Sequence, residues 1–452
     1  MPDLRAFITE LEEEGELLRI REKVDTRFEA ATIMGLLDNG PAVLMEKVKD
    51  NKTPIVAGIC GTRDRICRAI GVLREELHAR LLYAINNPVY PKIESEGPVK
   101  EIIDSPRLSD IPVLTHFQKD GGPYITSAIV AARGLDAKME NVSIHRLQVL
   151  DDTHLAIRIV PRHLYKLFQI HKEAGKPLEV AISVGLHPAI MLAAASSAPF
   201  GVSEYGVANT LLGGSLMLTT CEDVSLPVPR DAELVLEGRI HPDQDVEEGP
   251  FVDATGTYDI VRRQPVVEVT RMMHRDQFIY QALLPGWSEH HLLMGLPREA
   301  QIWESVRGAV PYVRGINLTP GGCSWLHAII SLEKQSEGDG KSALIAAFAG
   351  HKSLKHAIVV DSDIDPYNLE EVEWAIATRF QADDDLMLIA GARGSSLDPS
   401  GDQELELTTK MGIDATRKLS KSKEAFSKAT FSEEYERRAK EILERVGSGS
   451  SD

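Results

Sequence analysis

Between positions 141 and 253 the sequence places six side chains of complementary chemistry. They are Asn141 and Arg146 in ENVSIHRLQV, His163 in VPRHLYKL, Glu204 in GVSEYGVAN, and Glu248 and Asp253 in EEGPFVDATGTY. The amide oxygen, imidazole nitrogen and carboxylate of Asn141, His163 and Glu204 are hard donors able to hold a phosphate-bound divalent cation. A guanidinium grips a carboxylate through two parallel N–H···O bonds, so Arg146 could seat a carboxylated substrate. Two carboxylates beside that cation can hold different protonation states, one ionised against Arg146 and one carrying a proton. Each residue also has a plainer use on its own. Arg146 fits a surface ion pair, Asn141 an Asx turn, His163 a structural role, and Glu204 a helix-dipole contact.

The Gly249-Pro250 pair excludes a regular central strand between the two carboxylates. On an unbroken strand their odd offset would send them to opposite faces, whereas a bend lets both converge on one pocket. Arg146 falls in a strand pattern over 142–149, facing away from Leu147 and Val149. His163 follows Pro161 in the first turn of a helix over 163–171, and Ser203 is placed to cap a helix over 203–212.

The wider pattern divides into three stretches and a tail. Helix and strand signals alternate over 1–110, an α/β domain. Residues 111–290 read as β: strands over 124–133, 142–149, 154–160, 179–184, 215–220, 232–240, 265–273 and 278–284, a barrel or sandwich. Alternation returns over 291–430, with a helix over 289–310, a strand over 323–332, a helix over 341–349, a strand over 357–360, a helix over 369–379 and a strand over 386–389. A last amphipathic helix over 433–446 lies in a segment, 431–452, suited to contacting a second subunit.

Bulk composition bounds the function. The formal net charge is −18 over 452 residues. That argues against nucleic acid or an anionic membrane surface as partner, since both demand a basic footprint. It does not oppose a small anion held by local charge. Four cysteines without a C-x-x-C pair make neither a disulfide framework nor a zinc pattern. The charged N-terminus lacks the apolar core of a signal peptide, and no apolar run is long enough to span a bilayer, so the expectation is a reduced cytoplasmic protein. Gly338-Asp-Gly340-Lys341-Ser342 imitates the end of a P-loop, but Gln335 stands where the pattern needs its first glycine. No G-x-G-x-x-G fingerprint supports a nicotinamide dehydrogenase.

With these motifs in order, the chain resembles the UbiD family of prenylated-FMN-dependent decarboxylases. The resemblance rests on N-x-x-x-x-R at 141–146, Pro-x-His at 161–163, SEY at 203–205, LPVPRDAELVLEG at 226–238, EGPFVDATGTY at 248–258 and VVDSDIDPYNLEEVEWAIATR at 359–379. It implies a central split β-barrel that binds the flavin, between an N-terminal α/β domain and a C-terminal α/β domain with a terminal helix. It further implies that Asn141, His163 and Glu204 hold Mn²⁺ or a similar ion against the phosphate of prenylated FMN, with K⁺ nearby. Ser143, Ile144, His145, Arg146, Arg162 and Lys352 would complete the cofactor contacts. Arg146, Glu248 and Asp253 match the family's catalytic trio: Arg146 seats the substrate carboxylate, Glu248 positions Arg146, and Asp253 returns the proton. Ferulic acid decarboxylases have Glu where this sequence has Asp253, a side chain one methylene shorter, which implies a different pocket or substrate.

His290 and Arg298 follow the last barrel strand and are similar to the furan-2,5-dicarboxylate branch, where they would bind a second carboxylate. Reversible decarboxylation of a (hetero)aromatic acid, with furan-2,5-dicarboxylate giving 2-furoate, is the expected reaction. Pyrrole-, furan- or phenol-carboxylates are the alternatives. The implied partners are a UbiX-type flavin prenyltransferase as cofactor supplier and further copies of the chain, as a homodimer or homohexamer. Two other readings use the same residues: a non-catalytic flavin-binding carboxylase subunit, and a metal-dependent hydrolase.

Overall fold

The β-branched runs of the central stretch pair into one sheet, because half-buried pleated surfaces favour such side chains. In the computed structural model, which describes residues 3–136, 139–196, 198–429 and 431–448, this sheet has nine strands, all joined antiparallel. Across the sheet they run Tyr124–Ile125, Leu147–Val149, His154–Ile157, Arg262–His274, Leu234–Glu248, Leu178–Val184, Ile129–Arg133 and Glu140–Ile144, with Ile102–Asp104 against Arg262–His274. The two end strands do not pair with each other, so the barrel stays split. Its longest ribbon pairs Leu234–Glu248 with Arg262–His274, from Leu234↔His274 to Glu248↔Arg262. That ribbon delivers Glu248 at its tip and suspends the loop bearing Asp253 and Asp259.

A four-stranded sheet is built from Leu17–Val24, Ala42–Val48 and Ile55–Ala57, and completed by Tyr280–Gln281 from the far side of the barrel sequence. The apolar cores run across the same junction: Phe7, Leu11 and Ile66 pack in one cluster with Ile190, Met191 and Tyr205. A five-stranded sheet of Val313–Leu318, His327–Leu332, His356–Asp361, Leu407–Ala415 and Leu386–Arg393 forms the last third, with helices Asp339–Gly350 and Leu369–Arg379. Among the described residues no helix is long and apolar enough to cross a membrane.

Several expected elements differ in detail. The strand over 142–149 is two strands, Glu140–Ile144 and Leu147–Val149, with Arg146 in the break between them. The chain there leaves its partner Ile129–Arg133 and joins Tyr124–Ile125 and His154–Ile157. The stretch 124–133 is likewise split, and 278–284 forms only Tyr280–Gln281, because the Thr126 and Ser127 hydroxyls take the Leu283 and Gln281 carbonyls in place of a ladder. Helix Pro188–Ala195 escapes the periodicity test because all but its last residue is buried, leaving no polar face to mark it. Ser203 occupies the N-cap position, yet its hydroxyl donates to Glu140 Oε1 (2.6 Å) instead of accepting from the helix. The P-loop imitation is filled by protein: a Cβ on Gly340 would overlap the Asp414 carboxylate.

Helix Ser288–Ala309 stitches the layers together. Glu289 accepts from Gly58 N and Cys60 N, while Glu299 accepts from Arg63, His78 and Leu318 N. Burial pushes the Glu299 carboxyl up, but Arg63 and His78 more than offset it and hold it at about 2. A depressed folded-state value stabilises the protein above the unfolded value of about 4.5 and loses that contribution as pH falls through about 2. Glu299→Gln should therefore cost about 3 kcal/mol at neutral pH, by stranding the Arg63 guanidinium. Urea unfolding monitored from pH 7 to pH 3 should show the gap between variant and wild type narrowing.

Candidate active site

The trio legible in the sequence is assembled in space. Arg146 Nε and Nη2 donate to Glu248 Oε1 and Oε2 at 2.9 and 3.0 Å, a two-pronged contact along one edge of the guanidinium. Asp253 Oδ2 stands 3.5 Å from Arg146 Nη1. Glu248 is fully buried, and Tyr124 Oη donates to its Oε1 at 3.1 Å. Burial works against the Arg146 charge, but Glu248, Asp253 and Asp259 outweigh it and raise the guanidinium above its ordinary value. Arg146 is thus fixed, ionised and partly enclosed.

The bend that the Gly249-Pro250 pair demands is present, with Gly249 at φ +102°, a conformation that only glycine adopts without strain. The neighbouring loop closes over it: Gly121 N donates to Pro250 O, and a Cβ on Gly121 would overlap the Gly249 carbonyl. Asp253 then lies in a tight turn, its backbone N donating to Thr257 O and its Oδ1 accepting from Ala254 N.

Asn141 and Glu204 also meet. Asn141 Nδ2 donates to Glu204 Oε1 at 3.2 Å, and Val142 N donates to Oε2 at 2.8 Å. Glu204 is 3% exposed, and no cationic side chain among the described residues pairs with it. Burial pushes its carboxyl up to about 8, against the pull of those two donors. Ser143 Oγ lies 2.9 Å from both Asn141 Oδ1 and His145 Nε2. His145 Nδ1 faces the Arg158 carbonyl, which can only accept, and burial keeps the ring neutral by lowering its pKa to about 4. Ser143 has one proton for two acceptors, so Asn141 Oδ1 and His145 Nε2 compete for it. His163 opens helix His163–Glu173 edge-on to Phe200 (5.2 Å), and its imidazole makes no hydrogen bond to a described residue.

Arg162 and Arg298 both approach the Trp325 ring, at 5.9 and 5.4 Å. Neither forms an ion pair among the described residues; Arg298 Nη1 donates to Gln301 Oε1 at 2.7 Å. Burial and then Arg162 lower the Arg298 guanidinium to about 10. His290 Nδ1 accepts from Gly286 N (3.0 Å), and burial lowers it to about 4, so it is neutral near pH 7 with only Nε2–H to offer. Lys352 is exposed, and its carbonyl accepts from Lys410 Nζ.

Four residues escaped sequence reasoning. Asp259 Oδ2 lies 3.2 Å from Arg146 Nη2, and the signal was available, since it ends the same EGPFVDATGTYD loop. Tyr124 and Gln148 brace Glu248 and Gly249, and nothing in their local wording marks them. Asp120 lies in the closing loop, where burial raises its carboxyl to about 6.

Comparison with known proteins places the whole chain. Three domain models of 3-octaprenyl-4-hydroxybenzoate carboxy-lyase match in order: the N-terminal domain over 8–85, the Rift-related domain over 92–288 and the C-terminal domain over 291–415. An anhydromevalonate phosphate decarboxylase of Methanothermobacter thermautotrophicus is 45% identical over 433 residues, 95% of this chain and 100% of its own. Its counterpart in Methanocaldococcus jannaschii is 43% identical over 415 residues, 91% of this chain and 96% of its own. Among solved structures, the UbiD-class enzyme HmfF from Pelotomaculum thermopropionicum in complex with FMN is 42% identical with a TM-score of 0.93, over 95% of this chain and 97% of that one. The apo 3,4-dihydroxybenzoic acid decarboxylase of Klebsiella pneumoniae is 28% identical with a TM-score of 0.90, over 96% of this chain and 98% of that one. On the strength of these matches and of the trio's geometry, the chain belongs to the UbiD family and is a decarboxylase.

Proposed function

We propose that this enzyme releases CO₂ from an unsaturated carboxylic acid carrying a second anionic group, with prenylated FMN held by a divalent cation. The observation that carries this reading is the guanidinium of Arg146 fixed by Glu248 with Asp253 beside its free Nη1.

The residues present fit the cofactor. Glu204 is a buried carboxylate with no counter-charge among the described residues, and Asn141 Oδ1 has only a Ser143 proton that it shares with His145; a hard cation such as Mn²⁺ would serve both oxygens, with His163 as third ligand and K⁺ alongside. Arg162, a guanidinium without a carboxylate, suits the cofactor phosphate, with Lys352 as a further contact and Ser143, Ile144 and His145 lining the approach. When bound, prenylated FMN supplies the electron sink that an sp² carbanion lacks. The chain does the rest. Arg146 orients the carboxylate through its end facing Asp253, Glu248 keeps the guanidinium from turning, and Tyr124 and Gln148 hold Glu248 and its loop. The buried setting favours departure of neutral CO₂ over retention of a charged carboxylate. Asp253 Oδ2 then gives its proton to the carbon that lost CO₂, as a general acid; in carboxylation it takes that proton back.

For the substrate, anhydromevalonate phosphate is favoured, since the name denotes an unsaturated acid with a phosphate ester and its decarboxylases are 43–45% identical over most of this chain. Arg298, without a carboxylate partner, suits the second anion, and the neutral His290 can donate Nε2–H to it. Furan-2,5-dicarboxylate, giving 2-furoate, is the second reading, supported by the same two residues. Simple pyrrole-, furan- or phenol-carboxylates lack the second anion. CO₂ release should be measured with flavin-loaded enzyme, co-produced with a UbiX-type prenyltransferase. Anhydromevalonate phosphate or furan-2,5-dicarboxylate should outrun 2-furoate and benzoate by about a hundredfold, as expected when a buried cation loses its partner. A monoanion turned over fastest would remove the second-anion reading. A cytoplasmic homo-oligomer remains the proposed setting.

A further inference from the structure

The donors of Arg146 are unevenly committed. Nε–H and one Nη2–H serve Glu248, at 2.9 and 3.0 Å. The remaining Nη2–H serves Asp259 Oδ2 at 3.2 Å, while Nη1 makes no hydrogen bond to a described residue and faces Asp253 at 3.5 Å. A carboxylate gripped end-on needs one hydrogen from each terminal nitrogen. Asp259 therefore sits on half of the edge that substrate would take.

Asp259 also has other places to rest. Its Oδ1 already accepts from Ile260 N at 2.9 Å and from Arg262 Nη2 at 3.1 Å, and its Oδ2 lies 3.7 Å from Arg158 Nε. Burial pushes its carboxyl up, but Arg262, Arg146 and Arg158 more than offset this, so it stays ionised. A small shift toward Arg158 would free Arg146 Nη2 without leaving the carboxylate unpaired.

We propose that Asp259 is the resident counter-ion of the carboxylate grip: it holds Arg146 Nη2 between turnovers and yields that donor to the substrate carboxylate, resting then on Arg158 and Arg262. This deepens the proposed function and rests on its placement of the substrate carboxylate at Arg146. Glu248 orients the guanidinium; Asp259 sets the cost of occupying it. It is a positioning residue, and its signature is unusual, because removing its charge strengthens binding.

The test is titration of benzoate, as a bare-carboxylate probe, into the flavin-loaded enzyme, followed by calorimetry. Taking one negative charge from a site about 6 Å across should tighten benzoate binding of D259N about tenfold, while D259E binds as wild type does. R262Q, a change at a half-exposed residue, removes one resting place and should weaken benzoate several-fold. R146A should bind no benzoate. If R146A loses benzoate but D259N binds it no better than wild type, the counter-ion role is overturned and the placement at Arg146 stands. If R146A binds benzoate as wild type does, the placement itself fails. Should D259N not fold, unchanged binding in R262Q overturns the proposal by itself.

Discussion

Asp253→Asn should retain the flavin chromophore at full occupancy while decarboxylation falls by about 10³-fold, the scale of losing a positioned general acid. The amide is nearly the same size and can still accept from Ala254 N, which donates to Asp253 Oδ1 at 2.7 Å. What it cannot do is lend a proton to carbon. The separation of effects is the informative part: unchanged absorbance with lost CO₂ release places Asp253 in proton delivery, whereas loss of both would mean that it supports the fold of the cofactor wall. Unchanged turnover would refute the role outright. A sharper readout is hydrogen exchange into the product in D₂O, which should slow by the same factor as decarboxylation.

Glu204→Ala is expected to have the second-largest effect, by a different route. The buried carboxylate has no cationic side chain beside it among the described residues and accepts from Asn141 Nδ2 and Val142 N. If an ion is its partner, as proposed, removing a charged ligand from a three-residue set should lower metal affinity by about 100-fold or more, the effect assigned even to outer partners of a metal site. Elemental analysis of purified Glu204→Ala should find the divalent ion absent, with the flavin reduced to trace occupancy because its phosphate has lost an anchor. Full flavin retention in a metal-free variant would sink the anchoring role while leaving the catalytic trio untouched. The two variants thus divide the site: one side chain for proton delivery, the other for holding what receives the electrons.

Much of this site was legible in the linear order of residues, for a physical reason. Arg146, Glu248 and Asp253 are embedded in stretches whose local wording is constrained: a strand edge, a turn that excludes regular pairing, a loop returning to the sheet. Local constraints leave local marks. The bend at Gly249-Pro250 is one of them, since neither residue tolerates a central strand, and the chain does turn there with Gly249 at φ +102°. The N-terminal position of Glu204 on its helix and the position of His163 at the start of another were readable for the same reason.

Elsewhere the sequence was silent or misleading. The pattern over 142–149 reads as one strand, yet the structure breaks it at Arg146, because the chain changes neighbours from Ile129–Arg133 to Tyr124–Ile125 and His154–Ile157. Ser203 had the type and place of a cap, but its hydroxyl turns to donate to Glu140 and accepts nothing from the helix. Residue type, order and turn chemistry determine which groups this protein can bring to a reaction: a carboxylate grip, an acid and a set of hard ligands. Tertiary packing alone decided which donors of Arg146 are spoken for, that Glu204 is buried without a counter-charge, and that Asp259 shares the grip. Those facts depend on distances between segments more than a hundred residues apart, such as Arg146 and Glu248, and no local pattern encodes a distance of that kind.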